Sequence, residues 1–148
     1  MNFIYIVIAV FAGVIFAIQP AINENVGRNL NHPIQASFVS FLVGTLILLA
    51  INFALGLKLP STEKLVAIPW WLWLAGGSIG AFVVTAALTI QPKIGAGVWI
   101  SCFIFGQLVM SILLDNFGWL GLAVHPINFM RLLGAFLLAL GAILVAYY

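Results

Sequence analysis

Five long apolar stretches, separated by short connections that hold the charged residues, constrain this chain more than any other feature. Their approximate bounds are residues 3–22, 33–57, 69–90, 94–117 and 126–147. A helix needs about 20 apolar residues to cross a bilayer, and each stretch is long enough. Only 5% of the 148 residues are charged, against about 25% in an average soluble domain. The sequence therefore predicts an all-α membrane protein whose five transmembrane helices form a single domain, residues 1–148. Small residues that recur at helical spacing favour a compact bundle.

The residues between the stretches predict where individual helices begin and end. Apolar residues continue at every fourth position after the first stretch, so its helix is predicted to reach Leu30. His32-Pro33 and His125-Pro126 are predicted to be similar helix starts, because proline is well suited to the first helical position. Each histidine would then cap its helix at the membrane interface.

The basic residues give a weak signal for orientation. If the N-terminus is cytoplasmic, inside connections hold Lys58, Lys64 and Arg131, and outside connections hold Arg28 and Lys93. The positive-inside rule requires a larger bias to select one orientation. Two interpretations stay open: a single orientation with the N-terminus inside, or dual topology, in which copies insert both ways and pair as an antiparallel homodimer.

Polar and aromatic residues form one row along the fourth span. They follow one another at intervals of four residues and so lie along one slanting face of a helix. The row is Trp99, Phe103, Gln107, Ser111 and Asp115. Polar groups at this depth are costly and mark candidate functional sites. The amide of Gln107, near the bilayer centre, both donates and accepts, so it needs partners in protein, water or ligand.

The first span holds a second polar pair, Gln19 and Asn23, on either side of Pro20. A proline inside a helix removes one backbone hydrogen bond and bends the chain. One interpretation is a substrate-facing break in the helix. The other is contact between helices, with Gln19 bonded to Gln107 or Ser40.

The charged residues near the span ends allow two roles. Asp115 and Glu24 could couple transport to an ion, or Asp115 could form a structural pair with Arg131. No carboxylate lies at mid-membrane, which favours the structural role. Nor does the sequence contain a catalytic constellation, a metal-ligand cluster or a nucleotide-binding motif. We therefore predict no enzymatic activity, no cofactor, no metal and no nucleic-acid partner.

Two segments resemble a known family. They are AIQPAINENVGRNL followed by HPIQASFVSFLVGTL, and GQLVMSILLDNFGWLG followed by HPINFMRLLGAFLLALGAIL. They are similar to the five-span YdcZ-like branch of the drug/metabolite transporter superfamily, and the resemblance covers essentially the whole chain. It implies a multi-pass protein of the bacterial inner membrane. It also implies family positions at the following residues: Gln19, Pro20, Asn23, Gly106, Gln107, Asp115, Gly118, Arg131 and Gly134.

The resemblance and the polar residues together predict a small secondary transporter, an exporter by family analogy. A dimer in the lipid bilayer would move a small polar or amphipathic solute by alternating access. The partner of the chain would be either a second copy, in an antiparallel homodimer, or a paired homologous chain. The expected cavity is lined by Gln19, Asn23, Trp99, Phe103, Gln107 and Ser111. The mid-span glutamate of the related four-span exporters is missing, which argues against their cation/proton exchange. The alternative function is a non-transporting accessory or assembly subunit.

Overall fold

The computed structural model describes residues 3–148, and within that range the chain consists of helices and loops without any strand. The helices are α1 (Phe3–Leu30), α2 (Pro33–Ala54), α3 (Thr62–Ala67), α4 (Trp70–Ile94), α5 (Ala96–Phe117) and α6 (Phe129–Tyr147). All except the six-residue α3 are long and apolar enough to cross a membrane. The predicted all-α membrane fold with five spans is confirmed.

Large apolar side chains cover the outside of these helices. Phe11 on α1, Leu48 on α2 and Phe136 on α6 are each more than half exposed. Few apolar residues of the described range, 3–148, are fully packed, among them Ala36, Leu88 and Ala142. An apolar surface this continuous is not tolerated in water. Lipid is its natural surroundings, and α1, α2, α4, α5 and α6 present their apolar faces to it.

The start of α2 follows the sequence prediction, and so does the end of α1. The helix α1 runs on to Leu30. His32 then has an extended backbone, and its Nδ1 accepts a hydrogen bond from the amide of Ile34 at 3.2 Å. Pro33 occupies the first turn of α2, where its missing amide hydrogen leaves no bond unmade. The predicted histidine cap is confirmed here.

The start of α6 differs from the prediction. The helix begins at Phe129 and not at Pro126, and Asn128 caps it by accepting a hydrogen bond from the amide of Arg131 at 2.9 Å. The amide of His125 instead donates to the Asp115 carbonyl at 2.8 Å, and that of Ile127 donates to the Asn116 side chain. These bonds back to the end of α5 hold residues 125–127 in an extended conformation, so His125 does not cap α6.

The remaining ends differ from the predicted spans by a few residues. α2 stops at Ala54, before Gly56, whose φ of +62° is incompatible with a continuing helix. α4 continues through Pro92 to Ile94, because a proline in the last turn breaks only one backbone bond. Gly95, with φ of +89°, then connects α4 directly to α5.

The chain divides into two compact units, the first ending at Ile90 and the second comprising Gln91–Tyr148. In the first unit, α1 and α2 approach closely where Gly27 faces Ala36. The hydroxyl of Thr85 on α4 lies 3.0 Å from that of Ser37 on α2. In the second unit, α5 and α6 pack along their length, with Gly97 against Val145 near one end. The single domain and the compact bundle of five helices stay predictions.

Candidate functional site

The row of polar and aromatic residues on α5 starts with a pair of stacked rings. The centroids of Trp99 and Phe103 are 5.7 Å apart, and their planes differ by 13°. This offset stacking is favourable because it keeps the negative faces of the two π-systems from opposing each other. The row continues through Gln107 and Ser111, both exposed, to Asp115 in the last turn of α5. One face of the helix therefore changes from aromatic to polar to acidic.

An open cleft lies beside the acidic end of this row, between α5 and α6. Its volume is about 350 Å³. The residues that line it are Leu108, Ser111, Ile112, Asp115, Arg131, Gly134 and Ala135. Three of them, Ser111, Asp115 and Arg131, carry polar side chains. The rest of the lining is apolar, which is the usual composition of a small-molecule site.

Asp115 and Arg131 form an ion pair in the cleft. The Arg131 Nη1 lies 3.2 Å from Asp115 Oδ2 and 3.1 Å from the carbonyl oxygen of His125. Each side chain is about one-third exposed, at 36% for Asp115 and 33% for Arg131. Within residues 3–148, Asp115 Oδ1 has no hydrogen-bond partner, so this oxygen is free to accept a bond from a bound solute. The pairing considered from the sequence is present, and its role in coupling or structure stays a prediction.

The loop before α6 holds Arg131 at the cleft. Gly118 ends α5 in the left-handed conformation, with φ of +63°. The chain then folds back so that Val124 lies against Gly118 and His125 reaches Asp115. Because the His125 carbonyl also accepts from Arg131, the loop fixes one end of the guanidinium.

Gln107 lies at the centre of α5 and is exposed. Its amide makes no hydrogen bond to any group in residues 3–148. In hydrocarbon an unsatisfied amide costs several kcal/mol, about 4–8 by transfer to an alkane. Such a group is stable in a membrane when it faces water, a solute or another protein chain.

The polar residues of α1 have different surroundings. Asn23 is buried, with 7% exposure, and its Nδ2 donates to Ser40 Oγ on α2 at 3.2 Å. Asn23, and not Gln19, therefore makes the bond to Ser40 considered from the sequence. Gln19 is half-buried and borders a shallow groove of about 340 Å³ on α1. Glu24 pairs with Arg28, one turn away on the same helix.

These α1 residues belong to the first compact unit, whereas the α5 row and its cleft belong to the second. The structure brings together Ser111, Asp115 and Arg131, with Gln107 one turn from the cleft. One cavity shared by both sets of residues stays a prediction.

Residues 4–144 match the family described as "Putative inner membrane exporter, YdcZ". This chain belongs to the YdcZ family. Searches of curated proteins and of solved structures gave no match. The family match reaches into all five spans and includes the whole α5–α6 cleft.

Membership of the YdcZ family confirms the resemblance drawn from the sequence and makes the chain a multi-pass inner-membrane protein. The family is described as an exporter and not as an enzyme. Five membrane-capable helices agree with that description.

Sequence reasoning missed one residue of interest, Gln91. It is 5% exposed on α4, and its Oε1 has no hydrogen-bond partner within residues 3–148. Its position beside Pro92 and Lys93 suggested the end of a span, where water would solvate an amide. A signal was nevertheless present, because Ile-Gln-Pro occurs at 90–92 as it does at 18–20.

Proposed function

We propose that this YdcZ-family protein is a small secondary transporter that exports a small polar or amphipathic solute across the bacterial inner membrane. The observation that carries the proposal is the α5–α6 cleft, whose polar groups continue along α5 to an exposed amide at mid-span. Polar side chains on a membrane helix need polar groups or water around them. A path for solute and water provides these surroundings, and the family description supports export.

The chemistry of the cleft suggests the kind of solute. Its volume of about 350 Å³ lies at the lower end of the range for small-molecule sites, roughly 300–1,000 Å³. Asp115 Oδ1 can accept a hydrogen bond, Arg131 has donors beyond the one used by Asp115, and Ser111 can do both. Leu108 and Ile112 offer an apolar wall. A small molecule with one or two polar groups and an apolar body fits this combination.

We further propose that transport proceeds by alternating access in a dimer, with the two copies in opposite orientations. Two such copies are related by an axis in the membrane plane, which is the relation between the inverted repeats of larger carriers. The near balance of basic residues, three against two, supports insertion in both orientations.

Exchange in proteoliposomes tests the proposal. The probes are radiolabelled amino acids, polyamines and quaternary ammonium ions, each measured for uptake against the same unlabelled compound inside. Gly134 lines the cleft, and a Cβ added there would meet no atom within 4 Å, so Gly134→Leu adds apolar volume at the cleft lining without a clash at its Cβ. Gly141→Leu is the matched control, since Gly141 lies on the same helix with equally open space but outside the cleft lining.

We expect the unmodified protein and Gly141→Leu to exchange at least one class of probe, and Gly134→Leu to lose that exchange. Gel filtration in detergent shows whether both variants keep the native elution profile. Exchange by Gly134→Leu at the level of the control would refute the cleft as the solute site. Absence of exchange for every probe would favour the accessory-subunit alternative, in which the polar residues of α5 bind another membrane protein.

A further inference from the structure

The α5 row is organised around its own midpoint. Gln107 lies at the centre of the helix, which runs from Ala96 to Phe117. Phe103 and Ser111 lie one turn to either side of it, each about 6 Å away along the axis. Trp99 and Asp115 lie about 12 Å away in the same two directions. The aromatic half of the row and its polar half are therefore at equal distances from Gln107.

We propose that a second copy of the chain packs on this row in the antiparallel direction, with Gln107 against Gln107. In that register, Phe103 of each copy lies beside Ser111 of the other. The aromatic half of one α5 thereby closes the open side of the cleft in the other copy. The inference rests on the proposed function only in treating the cleft as a solute site, since the register itself does not depend on transport.

The side chain of Gln107 favours a second copy of the chain as the partner that packs on the α5 row. Its amide is exposed, unbonded within residues 3–148, and central in the span. A primary amide is self-complementary, because its NH₂ donates and its carbonyl oxygen accepts. Two glutamines related by a two-fold axis can therefore satisfy each other with reciprocal hydrogen bonds. A residue at mid-depth meets its own copy even when the copies have opposite orientations.

The distribution of charge along α5 favours the antiparallel direction over the parallel one. In a parallel pair on the same row, Asp115 would face Asp115 at the same depth, and the bond of each carboxylate to its own Arg131 would reduce but not remove the repulsion between the two like charges. In the antiparallel pair, the two carboxylates lie on opposite sides of Gln107, about 24 Å apart along the helix axis. Each Asp115 then has the aromatic end of the other helix as its neighbour.

The geometry of helix packing also suits this register. Side chains at intervals of four form a ridge that is inclined to the helix axis, and two such ridges interdigitate when the helices cross at roughly −50°. The α5 row is a ridge of this kind. The closest contacts then involve Gln107, Phe103 and Ser111, and Trp99 extends the aromatic surface towards the Asp115 end of the cleft.

The consequence for the site is that one copy of the chain holds only part of it. Ser111, Asp115 and Arg131 of one copy supply the polar groups of the cleft. The stacked Trp99 and Phe103 of the second copy supply an aromatic wall on its open side. A solute with a polar group and an apolar body would then bind between two chains.

Disulfide cross-linking in native membranes tests the register. The exposed Cys102 on α5 is first replaced, as Cys102→Ala. Single cysteines are introduced as Gln107→Cys, Phe103→Cys, Ser111→Cys and Val109→Cys, on chains that carry one of two different tags. Val109 is the matched control, because it is exposed at nearly the same depth as Gln107 but about 200° around the helix. Copper phenanthroline is the oxidant that accepts the electrons of the two thiols.

We expect Gln107→Cys to cross-link with itself and Phe103→Cys to cross-link with Ser111→Cys on the other chain. Both yields should exceed the Val109→Cys yield several-fold, because two thiols in a helix contact meet far more often than two thiols that face away from each other. Cross-linking of Ser111→Cys with itself would overturn the antiparallel register. Yields at the Val109→Cys level for every pair would overturn the α5 face altogether.

A second measurement does not need a cysteine. Gln107→Leu should weaken dimer association in detergent by roughly three- to tenfold, the effect of losing a side-chain hydrogen bond between membrane helices. Gln107→Asn keeps the amide and should lose less. Equal association of the unmodified protein and Gln107→Leu would count against the amide pair. The register and the proposed function fail separately, because cross-links form whether or not a probe is exchanged in proteoliposomes.

Discussion

The glycine that ends α5 allows a stability prediction whose size can be worked out from the structure. Gly118 has φ of +63°, and a Cβ added there would lie 2.7 Å from Val124 Cγ2 and 3.3 Å from the Leu122 carbonyl oxygen. A residue with a side chain costs about 1–2 kcal/mol in this conformation. The clash adds about 1–3 kcal/mol, the usual cost of overpacking. Gly118→Ala should therefore lower the free energy of unfolding by about 2–5 kcal/mol.

Gly56 provides a matched control. Its φ is +62°, nearly the same as that of Gly118, but a Cβ added there would meet no atom within 4 Å. Gly56→Ala should therefore cost only the conformational part, about 1–2 kcal/mol. The difference between the two variants isolates the contact with Val124. Thermal unfolding of both variants in the same detergent, followed by circular dichroism, measures that difference.

Equal destabilisation by Gly118→Ala and Gly56→Ala would refute the reasoning, because it would mean that the loop moves away from Gly118 without cost. The loop matters for the site, since it carries the His125 carbonyl that accepts from Arg131. A destabilised loop should therefore also weaken solute exchange in Gly118→Ala. Exchange in Gly56→Ala should be unchanged, because its glycine lies in the loop after α2.

Two further predictions concern the same end of the cleft. The Asp115–Arg131 pair is about one-third exposed. A double-mutant cycle with Asp115→Asn and Arg131→Gln should therefore give a coupling free energy of about 0.5–1 kcal/mol. If the thermal shift of the double variant equals the sum of the two single shifts, the pair is not stabilising. Asn128→Ala removes the cap of α6 and should lower the free energy of unfolding by about 1 kcal/mol. Asn25→Ala is its control, since that side chain bonds only the Ala21 carbonyl of its own helix, and an equal loss in both variants would contradict the capping role.

The spans were predictable because length and hydropathy alone decide whether a segment can cross a bilayer. The ends of the helices were harder to predict from the sequence, and the two histidine–proline pairs show why. His32 caps α2 with its Nδ1, whereas His125 lies in an extended segment tied to Asp115 and Asn116 on another helix. The two dipeptides are identical, and bonds to residues ten or more positions away decide between their conformations.

The polar residues of α1 show the same limit for the site. Gln19 and Asn23 are four residues apart on α1. Which of them meets α2 depends on where the helices approach most closely. That point is near Gly27 and Ala36, one turn from Asn23. Asn23 therefore bonds Ser40, and Gln19 borders a separate groove.

Burial has to be interpreted differently in this protein than in a soluble one. An exposed apolar residue such as Phe136 needs no explanation when the surroundings are lipid, and the buried Asn23 is explained by its bond to Ser40. The residue that requires explanation is Gln107, which is exposed, polar and central in its span. Lipid cannot satisfy its amide, and no group in residues 3–148 does so. A substitution that removes this amide should therefore affect dimer association or solute exchange more than it affects the stability of the single chain.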